Sequence, residues 1–161
     1  MVDYNKINVS DILPQKGTAV YVDQIIFFSE QEKILRASKF IEADEYLLHG
    51  HFNNNPVVPG ILIIESLAQA CILCQYGLNT NFSIFKDAKD KSEYLLYKVN
   101  LKFYNKVTSG DELLLNVKLV ENIYELYCFK TKAINKVTKA IIAQGELFVV
   151  NRNKNGDAEN H

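Results

Sequence analysis

The sequence predicts an α+β fold in which a curved antiparallel sheet wraps around one central apolar helix. Three observations lead there. Between Phe52 and Phe85 only Glu65 is formally charged, and the run from Pro59-Gly60 to about Tyr76 is apolar on nearly every side. Two strand-like segments precede this run and four follow it. A helix that is apolar all round needs cover on most of its surface, which a bent sheet supplies.

Val9 to Leu13 reads as a short helical turn ended by Pro14. Ala19 to Phe28 is rich in aromatic and β-branched residues and predicts a strand. Lys33 to Ile41 predicts a second, joined to it through the polar turn Ser29-Glu30-Gln31-Glu32. Asp44 to Leu48 suggests a brief helical turn, and His49 to Val58 a loop. Pro59 suits the first turn of the long helix, and Gly77 with Asn79 supplies its stop.

After the polar stretch Asn79 to Lys91 come four strand-like runs: Ser92 to Tyr104, Glu112 to Val120, Tyr124 to Ile134 and Lys139 to Val150. Ser109-Gly110-Asp111, Glu121-Asn122 and Asn135-Lys136 separate them as turns. Leu113, Leu115, Val117 and Leu119 alternate with more mixed neighbours, the pattern of a half-buried antiparallel strand. Exposed edges of such a sheet favour side-by-side dimers. Residues 1–150 read as a single domain, and the polar segment 151–161 as a disordered tail.

Composition narrows the function classes. The 161 residues carry a formal charge of −1, which argues against nucleic acid as a main partner. Three cysteines make no disulfide framework and suit a reducing compartment. Met1 to Asp11 is polar and acidic, with no apolar h-region, so a cytoplasmic protein is expected. Val57 to Leu73 is nearly apolar enough for a membrane span, but Glu65 sits mid-run, where an acidic residue costs roughly 2.5–3.5 kcal/mol. The run is also shorter than the ~20 residues a bilayer requires, and its asparagine-rich flanks are neutral. A buried core helix is the reading.

Glu65 and His51 are the candidate chemical pair. An unpartnered ionised carboxylate is expensive to bury and tends to take up a proton instead. That would leave an acid in an apolar cleft, with an imidazole near it in sequence that titrates close to ~6.5 and can act as base. Gln69 lies one turn beyond Glu65 on the same face and can donate to its carboxyl. Gly60 stands at the helix start, where N–H groups lack partners and the dipole favours negative charge. Its missing side chain would let a substrate approach closely. On spacing alone, Glu65 can equally be a helix residue reaching solvent or an ion pair, and His51 an ordinary loop histidine. His49 reads as a surface neighbour. Cys71 and Cys74 form C-x-x-C within the helix and read as small buried side chains. No metal site, Gly-rich phosphate loop or serine-hydrolase elbow is visible, so no cofactor is expected.

Gly50-His51-Phe52, then Asn55-Pro56-Val57-Val58-Pro59-Gly60-Ile61-Leu62-Ile63-Ile64-Glu65, then Leu67-Ala68-Gln69-Ala70 resemble the FabZ-type 3-hydroxyacyl-[acyl-carrier-protein] dehydratases, which have the hotdog fold. The spacing from His to Glu agrees without a gap. Ile12-Leu13-Pro14-Gln15-Lys16 and Val22-Asp23 are similar to that family's upstream segment, and Phe103, Val107 and Gly110-Asp111 to its downstream one. The likeness spans roughly Ile12 to Val150. Gln15 stands where the family usually has His, and Asn53 where it has Pro. Lys106 and Ser109 replace two downstream prolines, and Thr108 a valine. None of these removes a proposed catalytic group, but together they leave a specialised acyl or polyketide pathway open.

The resemblance implies that His51 removes the proton next to the thioester carbonyl and that Glu65 protonates the departing 3-hydroxyl. It implies that the backbone at Gly60 steadies charge on the thioester oxygen. It also implies a His and a Glu contributed by different subunits of a dimer, in a homodimer or an assembly of dimers such as a hexamer. The substrate would arrive on an acyl carrier protein. Such carriers are acidic, so a basic rim such as Lys102 and Lys106 would suit docking. Two alternatives stay open: a hotdog thioesterase driven by Glu65 alone, and a non-catalytic acyl-binding subunit.

Overall fold

A computed structural model describes residues 2–43, 56–82 and 93–152. Their six strands form one antiparallel sheet: β1 (Gln24–Ser29), β2 (Ile34–Phe40), β3 (Glu93–Phe103), β4 (Glu112–Ile123), β5 (Leu126–Asn135) and β6 (Ile141–Arg152), ordered β1-β2-β4-β5-β6-β3. A short helix α1 (Val9–Ile12) precedes the sheet, and the long helix α2 (Gly60–Thr80) lies between β2 and β3 in sequence. This is the hotdog architecture.

The sheet bends because its registers slip. Irregularities fall between Ile25 and Phe27, Leu96 and Lys98, Leu119 and Glu121, and Ala133 and Ile134. Each extra residue kinks its strand and increases the local twist. The curved face covers α2, whose residues Leu67, Ala70, Cys71, Leu73 and Cys74 are wholly buried. Facing them, Leu113, Leu115, Val117 and Leu119 of β4 are buried in the alternating pattern that the sequence predicted. The span-length apolar window of α2 is 78% buried inside the protein itself, as a core helix should be.

Boundaries moved where side chains took over from propensity. The strand expected from Ala19 begins only at Gln24. Residues Gly17–Ala19 form a 3₁₀ turn, and the Tyr21 N–H donates to the Gln69 side chain instead of to a ladder. The helix does not stop at Gly77 but runs on to Thr80, where Asn81 adopts a left-handed cap. Gly77 serves packing instead: a Cβ there would press on the rings of Phe82 and Phe28. Those rings stack edge-on, their centroids 5.1 Å apart. The β4–β5 turn lies at Tyr124-Glu125, not Glu121-Asn122, because the bulge after Leu119 carries the ladder three residues further. β6 continues to Arg152, opposite Glu93, two residues beyond the expected end of the domain. The brief helical turn expected at Asp44 to Leu48 lies outside the described residues, as do residues 153–161 of the expected tail.

Gly145 holds β6 against β3. Its φ is +156°, and a Cβ there would overlap the carbonyl oxygen of Asn100. Gly145→Ala is expected to lower stability by at least the ~1–3 kcal/mol that a strained backbone position costs. Thermal unfolding followed by circular dichroism measures it, and an unchanged Tm would mean that β3 seats differently.

Candidate active site

Helix α2 is anchored at its first residue from the sheet side. Val57 bridges Thr108, and the Val58 N–H donates to the Val107 carbonyl at 2.8 Å. The turn that presents Val107 is itself fixed, since the Asp111 carboxylate accepts from the Thr108 N–H at 2.8 Å. Pro59 then caps the helix, and Leu62 N–H closes onto its carbonyl at 3.0 Å. The N–H groups of Gly60 and Ile61 fall in this first turn, where backbone donors have no partner within the helix. The space beside Gly60 is not empty. The Phe103 ring lies 3.1 Å from where a Cβ would stand. Substrate access expected from the missing side chain is therefore confined to the N–H side of Gly60, because the ring fills the Cβ side.

Glu65 is half-buried on α2. Helical side chains lean toward the N-terminus, so its carboxyl is tilted back toward the turn that begins at Gly60. Gln69, wholly buried, holds it there. The Gln69 side-chain carbonyl accepts from the Tyr21 N–H at 2.7 Å. One amide hydrogen goes to the Ala19 carbonyl and the other to Glu65 Oε1, each at 2.8 Å. The backbone at Ala19 and Tyr21 dictates which end of the amide is which, so the second N–H has to point at Glu65. Among the described residues Oε2 has no hydrogen-bond partner. Gln15 also reaches Oε1 through its Nε2, at 3.5 Å. That length is beyond the usual range for an N–H donor.

The predicted residues divide accordingly. Glu65, Gln69 and Gly60 lie on the first three turns of one helix, with Glu65 and Gln69 hydrogen-bonded. His51, His49 and Asn53 lie outside the described residues. Gln15 carried no role in the sequence reading beyond its departure from the family pattern. Its contact with Glu65 spans 50 positions, and no local spacing announces it. Lys106 neighbours Val107 at the helix entrance, whereas Lys102 shares a cross-strand row with Gln144 and Lys132 and reaches over the Tyr104 ring. No group of metal-ligating side chains occurs among the described residues.

Residues 13–146 match the FabA-like domain family. Among curated proteins, the 3-hydroxyacyl-[acyl-carrier-protein] dehydratase FabZ of Xanthomonas oryzae is 32% identical over 91% of this chain and 90% of its own length. The FabZ of a Wolbachia from Brugia malayi is 35% identical over 84% of this chain and 93% of its own. Among solved structures, the dehydratase heterocomplex ApeI:P of Xenorhabdus doucetiae has a TM-score of 0.72 at 19% identity, covering 92% of this chain and 93% of its own. A hypothetical thioesterase with coenzyme A from Streptococcus pneumoniae has a TM-score of 0.59 at 7% identity, covering 80% and 84%; these two likenesses concern the fold. The fold and site define a hotdog protein of the dehydratase type. More narrowly, the chain belongs to the FabA-like family, on its FabZ branch.

The C-x-x-C pair has the character expected of packing residues. Burial pushes the Cys74 thiol up from 9.0 to about 12, and the Cys71 thiol well above its usual value. The folded state therefore holds these protons more tightly than the unfolded chain does. The stability this represents is complete below about pH 9 and is lost as pH rises through the folded value near 12. Across that window the Tm of the protein is expected to fall more steeply than that of a Cys71→Ala/Cys74→Ala variant. Parallel Tm curves would remove the thiols from the alkaline transition.

Proposed function

We propose that this chain dehydrates 3-hydroxyacyl thioesters on acyl carrier protein to trans-2-enoyl thioesters, in the cytoplasm, as a step of fatty-acid or related acyl or polyketide biosynthesis. The observation that carries this is the fixed carboxyl. Glu65, the one charged side chain of α2, is oriented by a fully satisfied Gln69 beside a helix N-terminus. Family membership and the FabZ relatives support the same reaction.

His51 takes the proton from the carbon next to the thioester carbonyl. The electron pair released becomes the new carbon–carbon double bond, and the bond from the third carbon to the hydroxyl oxygen breaks. Glu65 delivers a proton from Oε2 to that oxygen, which leaves as water. The first-turn N–H groups at Gly60 face the thioester oxygen as negative charge gathers on it; donors of this kind contribute on the order of 10²–10³-fold in related chemistry. Each proton transfer typically contributes about 10²–10⁴-fold. No cofactor is required for either.

The decisive assay adds a trans-2-enoyl thioester and follows its conjugated absorbance. Reversible hydration is the expected result. Free thiol release would indicate the thioesterase alternative, and binding without change a passive acyl-binding subunit. Glu65→Gln and His51→Ala are each expected to abolish hydration while leaving the Tm unchanged. Near-normal turnover in either would remove that residue from its role.

The sheet edge supports a dimeric assembly. β3 is an edge strand, and Leu95, Leu96, Tyr97, Val99 and Phe103 along it are all exposed, Tyr97 by 68%. A long apolar edge invites pairing with another strand. A second copy joined through β3 would cover it, and the site proposed here pairs His51 of one copy with Glu65 of the other. The expected mass by light scattering is that of a dimer or a multiple of dimers, a hexamer among them; a monomer would refute a shared site.

A further inference from the structure

Gln15 is an unusual residue to find in a finished site. Its Oε1 is shielded from solvent and accepts no hydrogen bond, while its Nε2 reaches Glu65 only at 3.5 Å. A buried carbonyl without a donor is unfavourable, and apolar replacement of such a group is commonly neutral or stabilising. The contrast with Gln69 is direct. Gln69 has both amide hydrogens and its carbonyl used at 2.7–2.8 Å, whereas Gln15, against the same carboxyl oxygen, has its acceptor unused. The backbone leading to Gln15 is anchored: Leu13, two residues earlier, is 1% exposed in the core, and its carbonyl accepts from Lys16 Nζ at 2.9 Å. No described residue uses this acceptor, which lies beside the Glu65 carboxyl and can take an O–H brought by a ligand.

We propose that Gln15 Oε1 is the acceptor for the hydrogen of the departing 3-hydroxyl, making with Glu65 a two-point subsite for the leaving water. The inference rests on the dehydratase reading and adds a residue to it. Gln69 and Gln15 both direct amide hydrogens at Glu65 Oε1, so a proton passed to the substrate would come from Oε2. The 3-hydroxyl oxygen receives that proton while its own hydrogen donates to Gln15. As the carbon–oxygen bond breaks, its electron pair goes to the oxygen, and the product water keeps both hydrogens. Partial positive charge builds on that water during transfer, and an acceptor already in place stabilises it without reorganisation. In the hydration direction the same carbonyl orients the attacking water.

The test uses the full chain and the enoyl-thioester hydration assay. Gln15→Met keeps the length and removes the acceptor. Its kcat is expected to fall about tenfold to a hundredfold, the range for one hydrogen bond to a charge-bearing group. KM should change little, because the bond is made chiefly in the transition state. Its Tm is expected to equal or exceed that of the wild type, since an unpaired buried carbonyl has gone. Gln15→His, which restores an acceptor nitrogen, should regain part of the loss. A Met variant within twofold of wild-type kcat overturns the proposal, as does a loss of activity that tracks a loss of Tm, or a His variant no better than Met. Failure of the wild type to hydrate the thioester, or full activity of Glu65→Gln, strikes the dehydratase reading itself. A fully active Met variant strikes only the subsite.

Discussion

The amide of Gln69 is the interaction on which the rest of the site depends. It sits where no water reaches it, so each of its polar atoms requires a protein partner. Ala19 and Tyr21 supply two of these from the backbone, which stops the segment before β1 from joining the sheet and lays it along α2. The remaining amide hydrogen is then committed to Glu65. One side chain thus ties the entry strand to the core helix and orients the carboxyl. A replacement that filled the same volume without this donor pattern would leave two backbone groups and a carboxyl oxygen searching for partners.

The sheet contributes in a different way. Its bulges curve it around α2, so that a helix with almost no polar face is covered by the sheet. The same curvature leaves β3 at an edge, with apolar side chains standing out from it. Burial is nearly complete through the middle of α2, from Ser66 to Gly77, whereas at its start Ile61, next to Gly60, is 65% exposed. The incompletely covered end of the helix is therefore also the end with free N–H donors and the carboxyl. The second copy proposed above would cover both the exposed start of the helix and the open edge of β3.

The arrangement separates positioning from chemistry. Gln69 is fully paired, whereas Gln15 has a buried carbonyl that no described residue uses, and both amides meet a single carboxyl oxygen. Under the subsite proposed above, a ligand would supply what the second amide lacks.

The helix, the six strands and the His-to-Glu motif were legible in the sequence because each is written in local pattern: hydrophobic period, turn residues and contiguous spacing. Leu113 to Leu119 alternated, and the apolar run around Glu65 was continuous. The misplaced boundaries, at Gln24, Thr80 and Tyr124, all lie where a distant side chain or a bulge displaced the local preference. The backbone partners of Gln69 lie 48 and 50 positions away, and Gln15 meets Glu65 across 50. The ring that fills the space beside Gly60 comes from Phe103, on another strand. By itself the sequence determined which groups are available for chemistry. Only the tertiary structure decided which oxygen of Glu65 faces the two amides, and which amide carbonyl beside it has no described partner. Hydrogen-bond satisfaction in a buried site is settled by atoms that no sequence spacing places together.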